Sequence, residues 1–301
     1  MNVLVTGSNG FVGEEIVRVL EEDGLLVTSL VRDESARNSR KKSIVMNDFH
    51  SKIEWAEALI GIDVVVHLIA RTHNLLETNL DTYNLYHDTN VSITAILCDA
   101  ILGSDVKKLV FMSSIKVNGE STIANAFSES SEENPEDNYG VTKQEAESVI
   151  RKKFNRSDKD FIIIRPPLIY ASQSKGNLKT LLSVIQKKIP LPFKCIGNAR
   201  SIVEITTLSK FTALCVRESS IRNELFLVAE KKPYTTSELI EKLAKDNDLQ
   251  CRQFCVPKFI LNIALKMIGK EDMRKKLLQD LRLDSSKAIS LAKKFHRYEI
   301  F

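Results

Sequence analysis

Short apolar runs alternate with helically spaced stretches through the first half of the chain. Residues 3–5, 26–31, 64–69, 109–112 and 161–164 are rich in Val, Ile and Leu and do not alternate with polar positions. Strands covered on both faces of a parallel sheet read this way. Between them, residues 14–22, 55–60, 89–101 and 143–154 carry apolar positions at helical spacing. The alternation predicts an α/β domain with a doubly wound parallel sheet over residues 1–165.

The pattern changes after Pro166-Pro167. Residues 178–187 and 237–246 read as helices, residues 190–195 hold Pro190 and Pro192, and the end of the chain is basic. This predicts a smaller lobe over residues 166–301, with some chain returning to the sheet. The polar stretch 121–138 reads as a surface loop. The apolar stretch 259–268, bounded by Lys258 and Lys270, predicts a helix packed on a core. Its second reading is a membrane-surface or partner helix.

Composition narrows the function classes. The chain has 301 residues, 43% of them hydrophobic and 27% charged, as in an ordinary globular protein. A net charge of +4 is too small and too scattered to point to nucleic acid. No run reaches the roughly 18 apolar residues of a membrane span. A strand beginning at Asn2 leaves no room for a signal peptide, so a cytoplasmic location is expected. The five cysteines (Cys98, Cys195, Cys215, Cys251 and Cys255) show no metal-ligand spacing and read as reduced structural thiols.

The first strand runs into Gly7-Ser8-Asn9-Gly10-Phe11-Val12-Gly13. Gly7 allows a tight turn, Gly10 lets backbone approach a pyrophosphate, and Gly13 lets a helix pack closely on the strand. The helix N-terminus then offers N–H groups and a positive dipole end to phosphate. Gly7, Asn9, Gly10, Phe11, Val12 and Gly13 are therefore candidate dinucleotide-binding residues. The second strand ends Val31-Arg32 where an acidic residue would bind an NAD ribose. Arg32 suits a 2′-phosphate, so NADP(H) is favoured over NAD(H), although Asp33 remains a possible ribose ligand. Arg37, Arg40, Lys41 and Lys42 follow; the last two read as a solvated loop.

Tyr139 and Lys143 are four residues apart where a helix opens, and so share a face. A lysine cation near the phenol lowers its pKa toward working pH and makes Tyr139 a usable acid or base. Ser114, at the end of the strand Phe111-Met112-Ser113-Ser114, is placed to bind a substrate oxygen. Ser113 reads as a strand-end cap.

These motifs resemble the extended short-chain dehydrogenases/reductases of the NAD-dependent epimerase/dehydratase family, in their nucleotide-sugar 4-epimerase and 4-keto-reductase subgroup. The resemblance runs from Met1 to about Leu208. It includes His67-Leu68-Ile69-Ala70, Asn90-Val91, Ser113 to Glu120, Tyr139 with Lys143, and Arg165 to Tyr170. It implies a Rossmann-type sheet with a C-terminal substrate lobe, and catalysis by Ser114, Tyr139 and Lys143. It also implies that Ala70 and Asn90 line the cofactor channel, that Asp48 meets the adenine, and that Lys143 holds the nicotinamide ribose. Asn177 and Arg200, in Gly176-Asn177-Leu178 and Asn198 to Val203, resemble residues that bind the diphosphate of a UDP- or dTDP-sugar. A homodimer through the helices at 89–101 and 143–154 is a further implication.

Ile115 and Lys116 stand where sugar-nucleotide 4,6-dehydratases carry an acid pair, which excludes that reaction. Two enzymes remain. One reduces the C4 keto group of a 4-keto-6-deoxy-hexose or N-acetylhexosamine nucleotide, for surface-polysaccharide synthesis. The other is a UDP-glucose or UDP-N-acetylglucosamine 4-epimerase. Arg32 favours the reductase. A non-catalytic cofactor-sensing or RNA-binding protein of the same fold is disfavoured by the Tyr139/Lys143 pair and by the lack of a basic-aromatic surface.

Overall fold

The structure is a computed structural model that describes residues 1–32, 42–72, 82–171, 177–295 and 300–301. The first elements are β1 (Asn2–Thr6), α1 (Phe11–Glu22), β2 (Leu26–Val31), β3 (Ser43–Val45), α2 (Lys52–Ala58) and β4 (Val64–His67). Next come α3 (Thr82–His87), α4 (Ile93–Leu102), β5 (Lys108–Met112), α5 (Asn138–Phe154) and β6 (Asp160–Arg165). The remainder is β7 (Leu168–Tyr170), α6 (Asn177–Gln186), β8 (Ile202–Glu204), α7 (Ile205–Arg217), β9 (Glu224–Leu227) and α8 (Thr236–Lys245). Three helices end the chain: α9 (Lys258–Met267), α10 (Glu271–Leu278) and α11 (Ser286–Lys294).

Seven strands form one parallel sheet in the order β3-β2-β1-β4-β5-β6-β9. This is the doubly wound, Rossmann-type sheet that the apolar runs predict. Successive side chains of a strand point to opposite faces, and β1 shows the consequence. Val3 and Val5 pack with Ile16 and Leu20 of α1, Phe211 and Leu214 of α7, and Ala288 and Ala292 of α11. Leu4 faces the other way, into a core with Trp55, Leu97, Ile101, Ala146 and Ile150. Apolar demand on both faces explains the unbroken Val and Leu runs. β7 and β8 make a separate parallel pair. Tyr170, Leu178, Ile185, Phe193, Ile240 and Leu243 form a distinct core beyond the sheet.

Several elements differ from the sequence pattern. The run 64–69 leaves the sheet at His67, where the Leu68 N–H turns onto the Thr6 hydroxyl at 3.1 Å. Helical structure expected over 89–101 begins earlier, with α3, and widens by one residue per turn over Asp88–Ser92 before α4. The widened turn holds the inward-facing Asn90. β9 escapes the pattern because it is short and its first residues are only half-buried. The loop 121–138 does lie at the surface, but it is stitched to a distant segment by the Thr122 N–H on the Asp280 carbonyl and the Phe127 N–H on Arg282, both at 2.8 Å. The basic end of the chain also packs: Ile300 is buried and the Phe301 ring lies 6.3 Å from Phe211.

One expectation is corrected. Cys195 and Cys255 are joined as a disulfide, while Cys98, Cys215 and Cys251 are free. The reduced-thiol reading fails because the partners are 60 residues apart, and only the pairing of Leu191 and Phe193 with Gln253 and Cys255 brings them together. The helix expected at 259–268 forms as α9 and packs on the lobe core by one side. None of α9 is buried; only Leu261 and Leu265 lean on the lobe core.

Candidate active site

Parallel strands end on one edge of the sheet, and the strand order reverses between β1 and β4, which opens a crevice there. β1 leads into it through Gly7, whose φ of +67° is backbone that residues with a Cβ rarely adopt. A Cβ on Gly13 would stand 2.2 Å from the Gly7 carbonyl oxygen, so α1 sits on the turn closer than any side chain permits. Gly10 is the N-cap of α1 and brings no side-chain acceptor. The first N–H groups of the helix are therefore left to an anion. Asn9 and Gly10 are exposed at the turn, and Phe11 and Val12 are half-buried behind it. This cradle fits a dinucleotide diphosphate.

At the end of β2, Val31 is buried and Arg32 exposed, with the Arg32 guanidinium 5.5 Å from the centre of the Phe49 ring. Asp33, Arg37, Arg40 and Lys41 lie outside the described residues. The Asp48 carboxylate accepts the His50 N–H at 2.8 Å, so it closes its own turn. Ala70 is half-buried after β4. Asn90 is fully buried, and its side chain is spent within the protein. Its oxygen accepts the Arg71 N–H at 2.7 Å, and its amide donates to the Arg71 carbonyl at 3.2 Å and to Thr142 at 2.9 Å. It ties the Ala70–Arg71 bend to α5. His67 bridges Thr6 at 2.7 Å and Thr94 at 3.1 Å. Burial, with the charge of Lys143 adding to it, holds its pKa down to about 3, so it is a neutral strut.

Ser114 follows β5 and caps a single tight turn, Ile115–Val117. Asp137 caps α5 by accepting the Gly140 N–H at 2.7 Å, which places Tyr139 in the first helical turn. The Ser114 hydroxyl lies close enough to the Tyr139 phenol to favour its ionised form. Loss of water around the half-buried ring pushes the phenol pKa up to about 12, against the opposing pull of the Lys116 cation. Here the structure corrects the tuning expected from sequence. The cation felt by Tyr139 is Lys116, which is paired with Glu120 at 2.5 Å and with Asp137. Lys143 lies deeper, its ammonium 4.2 Å from the centre of the Phe111 ring. Burial brings its own pKa down to about 7, opposed by Glu147. Asp137 was findable, since an Asp just before a helix is a cap signal; Lys116 was seen in the sequence only as a missing acid.

Beneath this pair lies an ionic network that no short motif shows. Ser113 donates to Glu147 at 2.5 Å instead of capping its strand. Arg165, at the end of β6, grips both Glu147 oxygens at 2.8 and 2.6 Å and donates to Asn118 at 2.9 Å and to Glu133. Arg165 and Glu147 are each 1% exposed. Glu147 is one turn beyond Lys143 on the same face of α5, which is the signal the sequence offered.

In the outer lobe, Arg200 is held by short backbone bridges to Tyr234 and Leu281. One guanidinium nitrogen donates to the Lys275 and Gln279 carbonyls at the end of α10, both at 3.1 Å. Burial lowers its pKa to about 10, with Glu120 and Asp280 opposing. No carboxylate pairs with Arg200 among the described residues, so this half-buried cation keeps donors to spare for an anion. Gly176 and the Asn177 side chain lie outside what is described; Asn177 opens α6.

The model of the NAD dependent epimerase/dehydratase family matches residues 3–205. The chain is 33% identical over 288 residues to a UDP-glucose 4-epimerase of Vibrio cholerae, covering 95% of this chain and 88% of that one. It is 25% identical over 273 residues to the N-acetyl-alpha-D-glucosaminyl-diphospho-ditrans,octacis-undecaprenol 4-epimerase of Escherichia coli O157:H7, covering 89% and 77%. A UDP-glucuronic acid 4-epimerase from Bacillus cereus, solved with NAD, superposes with TM-score 0.76 at 20% identity, over 97% of this chain and 92% of that one. At that identity the likeness is one of fold.

Proposed function

The chain belongs to the NAD dependent epimerase/dehydratase family, and from that membership we propose that it is a 4-epimerase of a nucleoside-diphosphate hexose. The observation that carries this reading is the Ser114–Tyr139 hydroxyl pair at the carboxyl end of β5, in a chain a third identical to a UDP-glucose 4-epimerase along nearly its whole length. Bound at the Gly7–Gly13 cradle, NAD supplies a reversible hydride acceptor. The Tyr139 oxygen takes the proton of the sugar hydroxyl and returns it, and Ser114 holds the same oxygen in line. Lys143 is the residue for the nicotinamide ribose, and Arg200 pairs with the diphosphate. The order of the two readings from sequence alone reverses here. Arg32, the residue that favoured NADPH, lies over the Phe49 ring and so has a packing role of its own.

The test is direct. Purified protein given UDP-glucose or UDP-N-acetylglucosamine, with no added dinucleotide, is expected to form the C4 epimer, seen in the anomeric region of the proton NMR spectrum. An unchanged spectrum, together with NADPH oxidation once a 4-keto-6-deoxy sugar nucleotide is supplied, would overturn the proposal in favour of the reductase.

The cofactor is tested separately. Arg32→Ala is expected to leave NADH affinity nearly unchanged when nucleotide fluorescence is titrated. A loss of about 1.5–3 kcal/mol confined to NADPH, the scale of a hydrogen bond to a charged group, would show that Arg32 binds a 2′-phosphate and would support the second reading.

A further inference from the structure

The strongest unexplained feature is the outer face of α9. Phe259 is 65% exposed, Ile263 53% and Met267 82%, with Ile260 and Ile268 beside them. Residues 259, 260, 263 and 267 fall on one stripe of the helix, while Leu261 and Leu265 point the opposite way, onto the lobe core. A helix apolar on its outward side needs something to cover it. Exposed Lys258, Lys266 and Lys270 border the stripe. Residues 252–276 hold seven Lys or Arg against two Asp or Glu, an excess larger than that of the whole chain. Both acids, Glu271 and Asp272, are engaged on α10, with Arg274 and Lys276.

We propose that α9 docks this enzyme on an anionic lipid surface, with the Phe259/Ile263/Met267 stripe entering the headgroup boundary and the lysines meeting lipid phosphates. The charge argues for that occupant over a second copy of the chain. A symmetric contact through this face would bring Lys258, Lys266 and Lys270 against their own copies, where like charges repel. Anionic headgroups complement the same ring of lysines. The helix lies on the surface and does not cross it, since no helix among the described residues is long and apolar enough to span a membrane. The lobe is built to hold α9 in place. Its leading segment is paired with residues 191–194 through Leu191 with Arg252 at 2.9 Å and Phe254 with Leu191 at 3.0 Å, and is tied by the Cys195–Cys255 disulfide.

The experiment is sedimentation of the full chain with two vesicle types, one of equal parts phosphatidylglycerol and phosphatidylcholine, the other of phosphatidylcholine alone. The chain is expected to sediment with the anionic vesicles, less so as salt rises. Ile263→Glu with Met267→Glu should cut partitioning at least ~10-fold, because two apolar side chains no longer enter the headgroup boundary and two negative charges meet the anionic surface. Lys258→Glu, Lys266→Glu and Lys270→Glu together should abolish the preference for phosphatidylglycerol. All these positions are exposed, so circular dichroism should be unchanged. Chain that stays in the supernatant with both vesicle types, or variants that bind as wild type does, would overturn the proposal. So would a wild-type dimer in lipid-free sedimentation velocity that the Ile263/Met267 variant turns into monomer, since the stripe would then be a contact between copies.

Discussion

Tyr139→Phe is expected to reduce kcat by about 10²–10⁴-fold, the usual contribution of a positioned acid–base group, while dinucleotide affinity and Tm stay near wild type. The substitution removes one oxygen and keeps the ring in its place in the first turn of α5. That oxygen lies beside the Ser114 hydroxyl, which favours its ionised form, and is the group proposed for proton transfer. Burial holds the phenol pKa up at about 12, so the deprotonated form that accepts a proton is scarce at neutral pH. It follows that kcat/KM, which reports groups of the free enzyme, should climb as pH rises from neutrality. Retention of more than about a tenth of the wild-type rate would remove Tyr139 from proton transfer, because no positioned acid or base is worth so little.

The second large effect is on stability. Arg165→Met is expected to cost about 3–5 kcal/mol of unfolding free energy in urea, the usual result of removing one member of a buried ion pair. Methionine fills most of the space but leaves the Glu147 carboxylate, 1% exposed, with Arg151 at 3.1 Å as its remaining direct ion pair, a side chain that is 40% exposed. Asn118 loses its Arg165 donor at the same time, while Ser113 keeps its bond to Glu147. Adding Glu147→Gln should recover part of the loss, since the stranded charge is then gone. A single-variant loss below about 1 kcal/mol would place the pair in the class of screened surface bridges instead. Ser113 adjoins Ser114 and Glu147 shares α5 with Tyr139, so the same network underlies both side chains proposed for catalysis.

Features governed by residues close in the chain were legible in the sequence. The unbroken Val and Leu runs of β1, β2, β4, β5 and β6 announce strands covered on both faces, because every side chain of such a strand meets a core. Gly7, Gly10 and Gly13 announce a turn into a helix, since a Cβ at Gly13 has nowhere to go. Tyr139 and Lys143 announce a shared helix face, because helical geometry places residues four apart side by side.

What only the tertiary structure decided is which of these pieces touch. The sheet order brings Arg165 of β6 to Glu147 of α5, and the tight turn after Ser114 brings Lys116 to Tyr139. Sequence spacing gave that role to Lys143, which instead sinks onto Phe111. Cys195 meets Cys255 across 60 residues because two short backbone pairings align them. The apolar stretch 259–268 has the composition of a core helix, yet its outer side, with Phe259, Ile263 and Met267, is exposed. Periodicity states that a face is apolar. Only the arrangement of the other elements settles what lies against it, because burial depends on neighbours drawn from anywhere along the chain.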